Sequence, residues 1–125
     1  MKTILLDTNI LMAISQFRID VFAELERICD FPFQITVLDR TIDELESIKT
    51  TQKGKDKLAA SIALQLIKKK DLQITKTTEK KPVDDILVDF SHNGSIIATQ
   101  DMALKKRLKK PIITLRKKKY LIFVQ

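Results

Sequence analysis

The 125-residue sequence predicts an α/β fold, a three-layer α/β/α sandwich with a central, mainly parallel sheet of about five strands, in one domain over residues 1–125. Three observations carry this expectation. Short apolar runs alternate with longer stretches of helical spacing, the order that gives a parallel sheet covered on both faces. The hydrophobic fraction is 44%, enough for a packed core without disulfides or a structural metal. Glycine and proline number only 2 and 3, so no flexible linker divides the chain.

Taken in order, Lys2–Leu6 is a buried-type strand that stops at Asp7. Thr8–Gln16 and Asp20–Cys29 carry helical spacing, with Val21, Leu25 and Ile28 on one face of the second. Gln34–Leu38 reads as a strand and Thr41–Ile48 as a helix. After a polar break at 50–53, followed by a loose, lysine-rich segment around Gly54, Lys57–Lys70 is an amphipathic helix with Leu58, Ile62, Leu66 and Ile67 inward. Leu72–Thr75 is a short strand, residues 76–81 a loop, and Pro82–Phe90 a helix. Ser95–Thr99 is a strand, Asp101–Leu108 a helix, Pro111–Leu115 a strand and Tyr120–Val124 a last strand.

Composition narrows the function. Lys and Arg number 23 against 16 Asp and Glu, a net charge of +7 that favours a polyanionic partner. Aromatic residues make up 6%, with no Trp, so contact with a nucleic-acid backbone is expected over base stacking. Cys29 is the sole cysteine, which excludes an intrachain disulfide and suits a reducing compartment. No apolar run approaches the ~20 residues of a membrane span, and the apolar start meets Asp7 too early for a signal peptide. The expected location is cytoplasmic, with no membrane partner.

In an open parallel sheet, ligands bind beyond the carboxyl ends of the strands. Asp7 follows the first strand directly. Glu44 opens the helix after the second, Asp84 and Asp85 lie in the first turn of the helix after the third, and Asp101 follows the fourth. Each acid alone reads equally well as a helix cap: Thr41-x-x-Glu44 fits a capping box, Pro82 suits a first helical position before Asp84, and Asp101 suits an N-cap. Asp7 differs, because a carboxylate abutting Ile4–Leu6 is partly buried and needs a cation or several donors. Converging acids repel one another, and a divalent ion reverses that penalty. With His92 the only histidine, carboxylate ligation suits Mg²⁺ or Mn²⁺ rather than zinc. An acidic Mg²⁺ site on a basic protein points to phosphate chemistry.

Four segments resemble the motifs of PIN-domain nucleases, in order along nearly the whole chain. They are ILLDTNILM over 4–12, with Asp7, Thr8 and Asn9; VLDRTIDEL over 37–45, with Glu44; PVDDILV over 82–88, with Asp84 the better match and Asp85 possible; and IIATQDMALKKRL over 96–108, with Thr99 and Asp101. The resemblance implies a parallel sheet between helices, an acidic pocket for Mg²⁺ or Mn²⁺, and hydrolysis of single-stranded or structured RNA. It implies that Asp7, Glu44, Asp84 and Asp101 are the catalytic metal ligands, with Asn9 and Thr99 orienting the acids or the water. The fourth motif looks most like the branch that processes ribosomal RNA precursors, and less like the toxin branch of toxin–antitoxin pairs. A homodimer, an antitoxin and a ribosome-assembly factor are the protein partners these branches leave open.

Lys105, Lys106, Arg107, Lys109 and Lys110 cluster after Asp101, and Arg116–Lys119 follow the next strand. Both groups are candidate RNA-backbone contacts, and on a helix from Asp101 the side chains of Lys105 and Lys109 share a face. Lys68–Lys70 more simply complements a helix dipole. Cys29 is expected at the core boundary, and His92 exposed or capping. A phosphoaspartyl phosphatase requires Asp at position 9, where this chain has Asn9. A receiver domain requires an acid after the third strand, where it has Lys76 and Thr77. A non-catalytic RNA-binding or assembly module with a silent pocket is the remaining rival from another class.

Overall fold

The structure, a computed structural model, describes residues 1–125. The elements in order are β1 (Lys2–Leu6), α1 (Thr8–Gln16), α2 (Val21–Ile28), β2 (Phe33–Leu38), α3 (Asp39–Thr51), α4 (Gly54–Lys69), β3 (Gln73–Thr75), α5 (Val83–His92), β4 (Ile96–Ala98), α6 (Met102–Arg107), β5 (Ile112–Arg116) and β6 (Tyr120–Val124). They form a six-stranded sheet of order β3-β2-β1-β4-β5-β6, in line with the expected α/β/α sandwich. β1 to β5 run parallel, and β6 returns antiparallel to β5.

The sheet is buried on both faces, which is why β1 reads as a continuous apolar run. Ile4 and Leu6 join Val37, Ala98 and Ile113 in the core beneath α1, α2 and α4. Leu5 points the other way, to Leu38, Ile97, Ile86, Leu87 and Leu104 beneath α5 and α6. Truncating a fully buried leucine such as Leu5 to alanine costs about 2–5 kcal/mol.

Three details depart from the expectation. The buried face of α4 is Ala59, Ala60, Ala63 and Ile67, whereas Leu58 is 56% exposed. Alanines let α4 approach α1 and α3 closely, so the small residues and Ile67 face inward while Ile62, Leu64 and Leu66 are half-buried at the flanks. Gly54 does not sit in a loose loop but begins α4, at φ +65°, a conformation that glycine adopts without steric cost. α3 begins at Asp39, two residues before Thr41, so the capping box does not form and the buried Thr41 hydroxyl has no hydrogen-bond partner.

The outer edge of β6 is closed by side chains. Glu24 Oε1 accepts from the Leu121 backbone N–H at 2.9 Å, and Arg27 Nη2 donates to the Leu121 carbonyl at 2.9 Å. The two residues, paired with each other at 2.9 Å, replace the hydrogen bonds of a missing strand and tie α2 to the sheet.

Candidate active site

Strand order reverses between β1 and β4: β2 and β3 extend the sheet to one side, β4 and β5 to the other. A crevice forms at the carboxyl end of such a switch point, and Asp7 and Thr99 stand on its two sides. Asp7 N–H still belongs to the sheet, donating to Ala98 O at 3.0 Å, while its side chain has turned to cap α1.

Asp7 is only 8% exposed, and its charge is met by donors. Oδ1 accepts from Thr8 N–H at 2.8 Å; Oδ2 accepts from the Thr99 hydroxyl at 2.8 Å and from Asn9 Nδ2 at 3.3 Å. Thr99, fully buried, also accepts from Asn9 Nδ2 at 3.3 Å and from Asp101 N–H at 3.1 Å. One hydroxyl thereby links three of the residues implied by the motifs. Gln100 completes the net, its N–H donating to Asn9 Oδ1 at 2.9 Å and its Nε2 to Asn9 O at 3.1 Å. Sequence reasoning passed over Gln100, which occupies the variable position between Thr99 and Asp101. Its backbone contact requires no particular side chain and leaves no signature.

The acids feel one another. Burial pushes the Asp7 carboxyl above its usual value, the Thr99 and Thr8 hydrogen bonds pull it back, and the charges of Asp84 and Asp101 raise it again. Glu44, in the second turn of α3 and open to solvent on one side, is raised by partial burial and then by Asp7 and Asp84, with Thr8 opposing. The charges of Asp84 and Asp101 thus reach Asp7, and those of Asp7 and Asp84 reach Glu44. Asp85 is paired instead with a cation: its Oδ1 accepts from Arg107 Nη2 at 2.5 Å, joining α5 to α6, and the charge of Asp84 also reaches Arg107. Asp101 is also a true N-cap, its Oδ1 accepting from Leu104 N–H at 3.1 Å, which leaves Oδ2 without a cap bond.

The donor set fits a hard divalent cation, being all carboxylate oxygen, and the buried Thr8 hydroxyl beside Glu44 has no hydrogen-bond partner within normal geometry. No three of the acids draw together into a closed protein shell for one ion.

The connector into α5 is strapped to α3. Asp39 accepts from Thr77 N–H at 3.1 Å and from the Thr77 hydroxyl at 2.8 Å, and Arg40 Nη1 donates to the Lys81 carbonyl at 2.5 Å. Lys81 in turn pairs with Glu79 and Asp89. The helix that bears Glu44 thus holds the segment that delivers Asp84.

Of the basic residues after Asp101, Lys105 is half-buried and donates to Thr114 Oγ1 at 3.1 Å, and Arg107 is engaged with Asp85. α6 ends at Arg107, so Lys109 does not share a helix face with Lys105. Lys106, Lys109 and Lys110 are exposed. Cys29 is partly buried against the core and His92 exposed in the last turn of α5, both apart from the acids.

A doubly covered parallel sheet with carboxylates gathered at its switch point defines the class: an α/β protein with an acidic site. The family described as PIN like domain matches residues 4–118, and the chain belongs to that family. It is 33% identical to ribonuclease VapC4 of Methanocaldococcus jannaschii, over 96% of this chain and 95% of that protein. It is 31% identical to ribonuclease VapC9 of Archaeoglobus fulgidus, over 82% of this chain and 73% of that one. The PIN domain endonuclease Utp24 has the same fold, with a TM-score of 0.74 at 23% identity, covering 97% of this chain and 90% of that structure.

Proposed function

We propose that this chain is a metal-dependent endoribonuclease that hydrolyses RNA phosphodiester bonds in ribosomal or other RNA maturation, with one domain, residues 1–125, carrying the activity. The observation that carries the reading is the buried Asp7 carboxylate, fixed by Thr99 and Asn9 and raised in part by the charges of Asp84 and Asp101. A site that keeps like charges together at the mouth of a crevice is built to be completed by a cation. The ribonuclease names of both curated relatives support RNA as the substrate.

Asp7, Glu44, Asp84 and Asp101 would hold Mg²⁺ or Mn²⁺, which supplies an activated water and neutralises charge on the phosphate oxygens. Asp84 takes the third position rather than Asp85, whose carboxylate is committed to Arg107. Thr99 and Asn9 act on the Asp7 carboxylate, holding it in one orientation. The exposed Lys106, Lys109 and Lys110 offset the acids' repulsion of the RNA backbone. In the hydrolysis a water oxygen bonds to phosphorus as the ester P–O bond breaks, and the leaving oxygen takes a proton.

No helix is long and apolar enough to cross a membrane. We place the reaction in the cytoplasm, where a lone free thiol stays reduced.

Labelled single-stranded and hairpin RNA, incubated with pure protein in Mn²⁺, Mg²⁺ or EDTA beside Asp7→Asn, tests the reading. Cleavage that needs the metal and vanishes in the variant supports it. Salt-sensitive binding without cleavage under every condition replaces it with the binding-module reading. The toxin alternative separates on expression: growth arrest relieved by Asp7→Asn favours it, and unimpaired growth counts against it.

A further inference from the structure

The β5–β6 hairpin turns through Lys117 and Lys118, both at φ +56°, and the Lys119 N–H donates to the Arg116 carbonyl at 3.1 Å. Positive φ at two successive central residues is the requirement of a type I′ turn, and Asn-Gly is the pair that meets it with least strain. An L-residue there crowds its Cβ against the following carbonyl. This chain instead places four consecutive cations, Arg116–Lys119, across the turn. All four are exposed and none takes part in an ion pair; the Lys118 ammonium lies over the Phe17 ring at 5.3 Å, whereas Arg116, Lys117 and Lys119 make no such contact. Lys117, set in a backbone conformation that disfavours lysine, points to a use for the charge rather than for the turn.

The position of the tip gives that use. β5 runs parallel to β4 and β1, so its carboxyl end lies at the sheet edge that carries the acids. Ile113 pairs with Ala98 and accepts from Thr99 N–H, which sets it level with the acid site. Arg116 stands two residues beyond the level of Asp7, and β5 is two strands from β1, about 10 Å to the side. The tip therefore projects past the carboxyl edge of the sheet within the span of a few nucleotides from Asp7. The tip carries no apolar side chain to seat a protein. The neighbouring Tyr120 ring has the Arg27 guanidinium over one face at 6.0 Å.

We propose that the Arg116–Lys119 hairpin is a phosphate-backbone contact that holds single-stranded RNA flanking the acid site. The proposal rests on the ribonuclease reading and names where the substrate is gripped. Sequence-independent contact is expected, because four point charges on a two-stranded tip read phosphates and not base edges.

The test is fluorescence anisotropy of a labelled single-stranded oligoribonucleotide at several salt concentrations, with Asp7→Asn as the uncut parent. In that parent, Lys117→Asn/Lys118→Gly installs the preferred turn pair while removing two charges. The melting temperature stays level or rises, affinity falls about fivefold per lost contact at 0.1 M salt, and the salt slope shrinks by about 1.4. Lys119→Gln, outside the positive-φ pair, shrinks it by about 0.7. Variants that bind with the parent's affinity and slope overturn the hairpin contact and leave the ribonuclease reading standing, an acidic polypeptide then being the class of partner to test. A parent that binds no RNA at all overturns both.

Discussion

The Thr99 hydroxyl donates to Asp7 Oδ2 at 2.8 Å, joining residues 92 positions apart across the switch point of the sheet. Because the same oxygen accepts from Asp101 N–H and Asn9 Nδ2, it sets the spacing between two acids as well as the orientation of one. Thr99→Val removes the donor and leaves those two N–H groups short of an acceptor. We expect a loss of about 10–100-fold in cleavage rate. The acid limb of the pH–rate profile moves upward, since the bond that lowers the Asp7 carboxyl is gone. Thr99→Ser restores both, an outcome that a purely space-filling role for Thr99 does not produce. Steady-state cleavage between pH 5 and 8 measures it.

Asp7→Asn separates activity from stability. Burial and the neighbouring acids hold the Asp7 carboxyl above its unfolded value near 3.8, so the folded chain binds this proton more tightly than the unfolded chain does. Stability from this group is greatest below 3.8 and declines as pH rises through the folded value. At neutral pH the full penalty of the charge is present. The neutral amide removes it, and in EDTA the variant gains on the order of 1 kcal/mol while cleavage disappears. Calorimetry at pH 7 without metal checks this; a variant less stable than the parent would show that the hydrogen bonds outweigh the desolvation.

The strap from α3 to the α5 connector predicts an effect at a distance from the acids. Asp39 is held below its usual carboxyl value by Thr77 N–H and by its further hydrogen bonds to the Thr77 hydroxyl and Arg40 N–H. Its contribution is present above 3.8 and is lost as pH falls through the lower folded value. Asp39→Ala frees the connector that delivers Asp84, and we expect weaker activation by Mn²⁺ with little change in salt-dependent RNA binding. A Mn²⁺ titration of cleavage rate reads this directly, and unchanged half-activation would remove Asp39 from the positioning of the site.

The edge closure of β6 predicts stability alone. Glu24→Ala leaves the Leu121 N–H on a fully buried residue without its acceptor, a loss of about 1–2 kcal/mol. Urea unfolding measures it, with cleavage per folded molecule expected to stay at the parental level.

Much of this was legible in the sequence, and the reasons are local. A strand buried on both faces must be a continuous apolar run, so β1, with Asp7 ending it, was visible at once, as was the acid after each of the next three strands. The face of α4 was misread because alanine is a weak hydrophobic signal, and the close approach that makes Ala59 and Ala63 inward belongs to the partner helices. The expected helix from Thr41 begins two residues late: Asp39 and Arg40 lie in the first turn of α3 and hold the α5 connector through contacts that no local pattern carries. The motif favours Asp84 over Asp85, but the pairing of Asp85 with Arg107, 22 residues away and on another helix, is not legible in it. No local pattern carries that pairing.

The most direct test of the central claim, that Asp7, Glu44, Asp84 and Asp101 form one cation site, is thermal unfolding of the wild-type chain and of Asp7→Asn, Asp84→Asn and Asp85→Asn with and without Mn²⁺. A ligand that binds only the folded state raises its stability by about 2.7 kcal/mol at one hundred times its dissociation constant, a shift well above measurement error. The account predicts stabilisation in the wild type and in Asp85→Asn, with little or none in Asp7→Asn and Asp84→Asn. No Mn²⁺ shift in the wild type, or a shift lost with Asp85 and kept without Asp84, would contradict it.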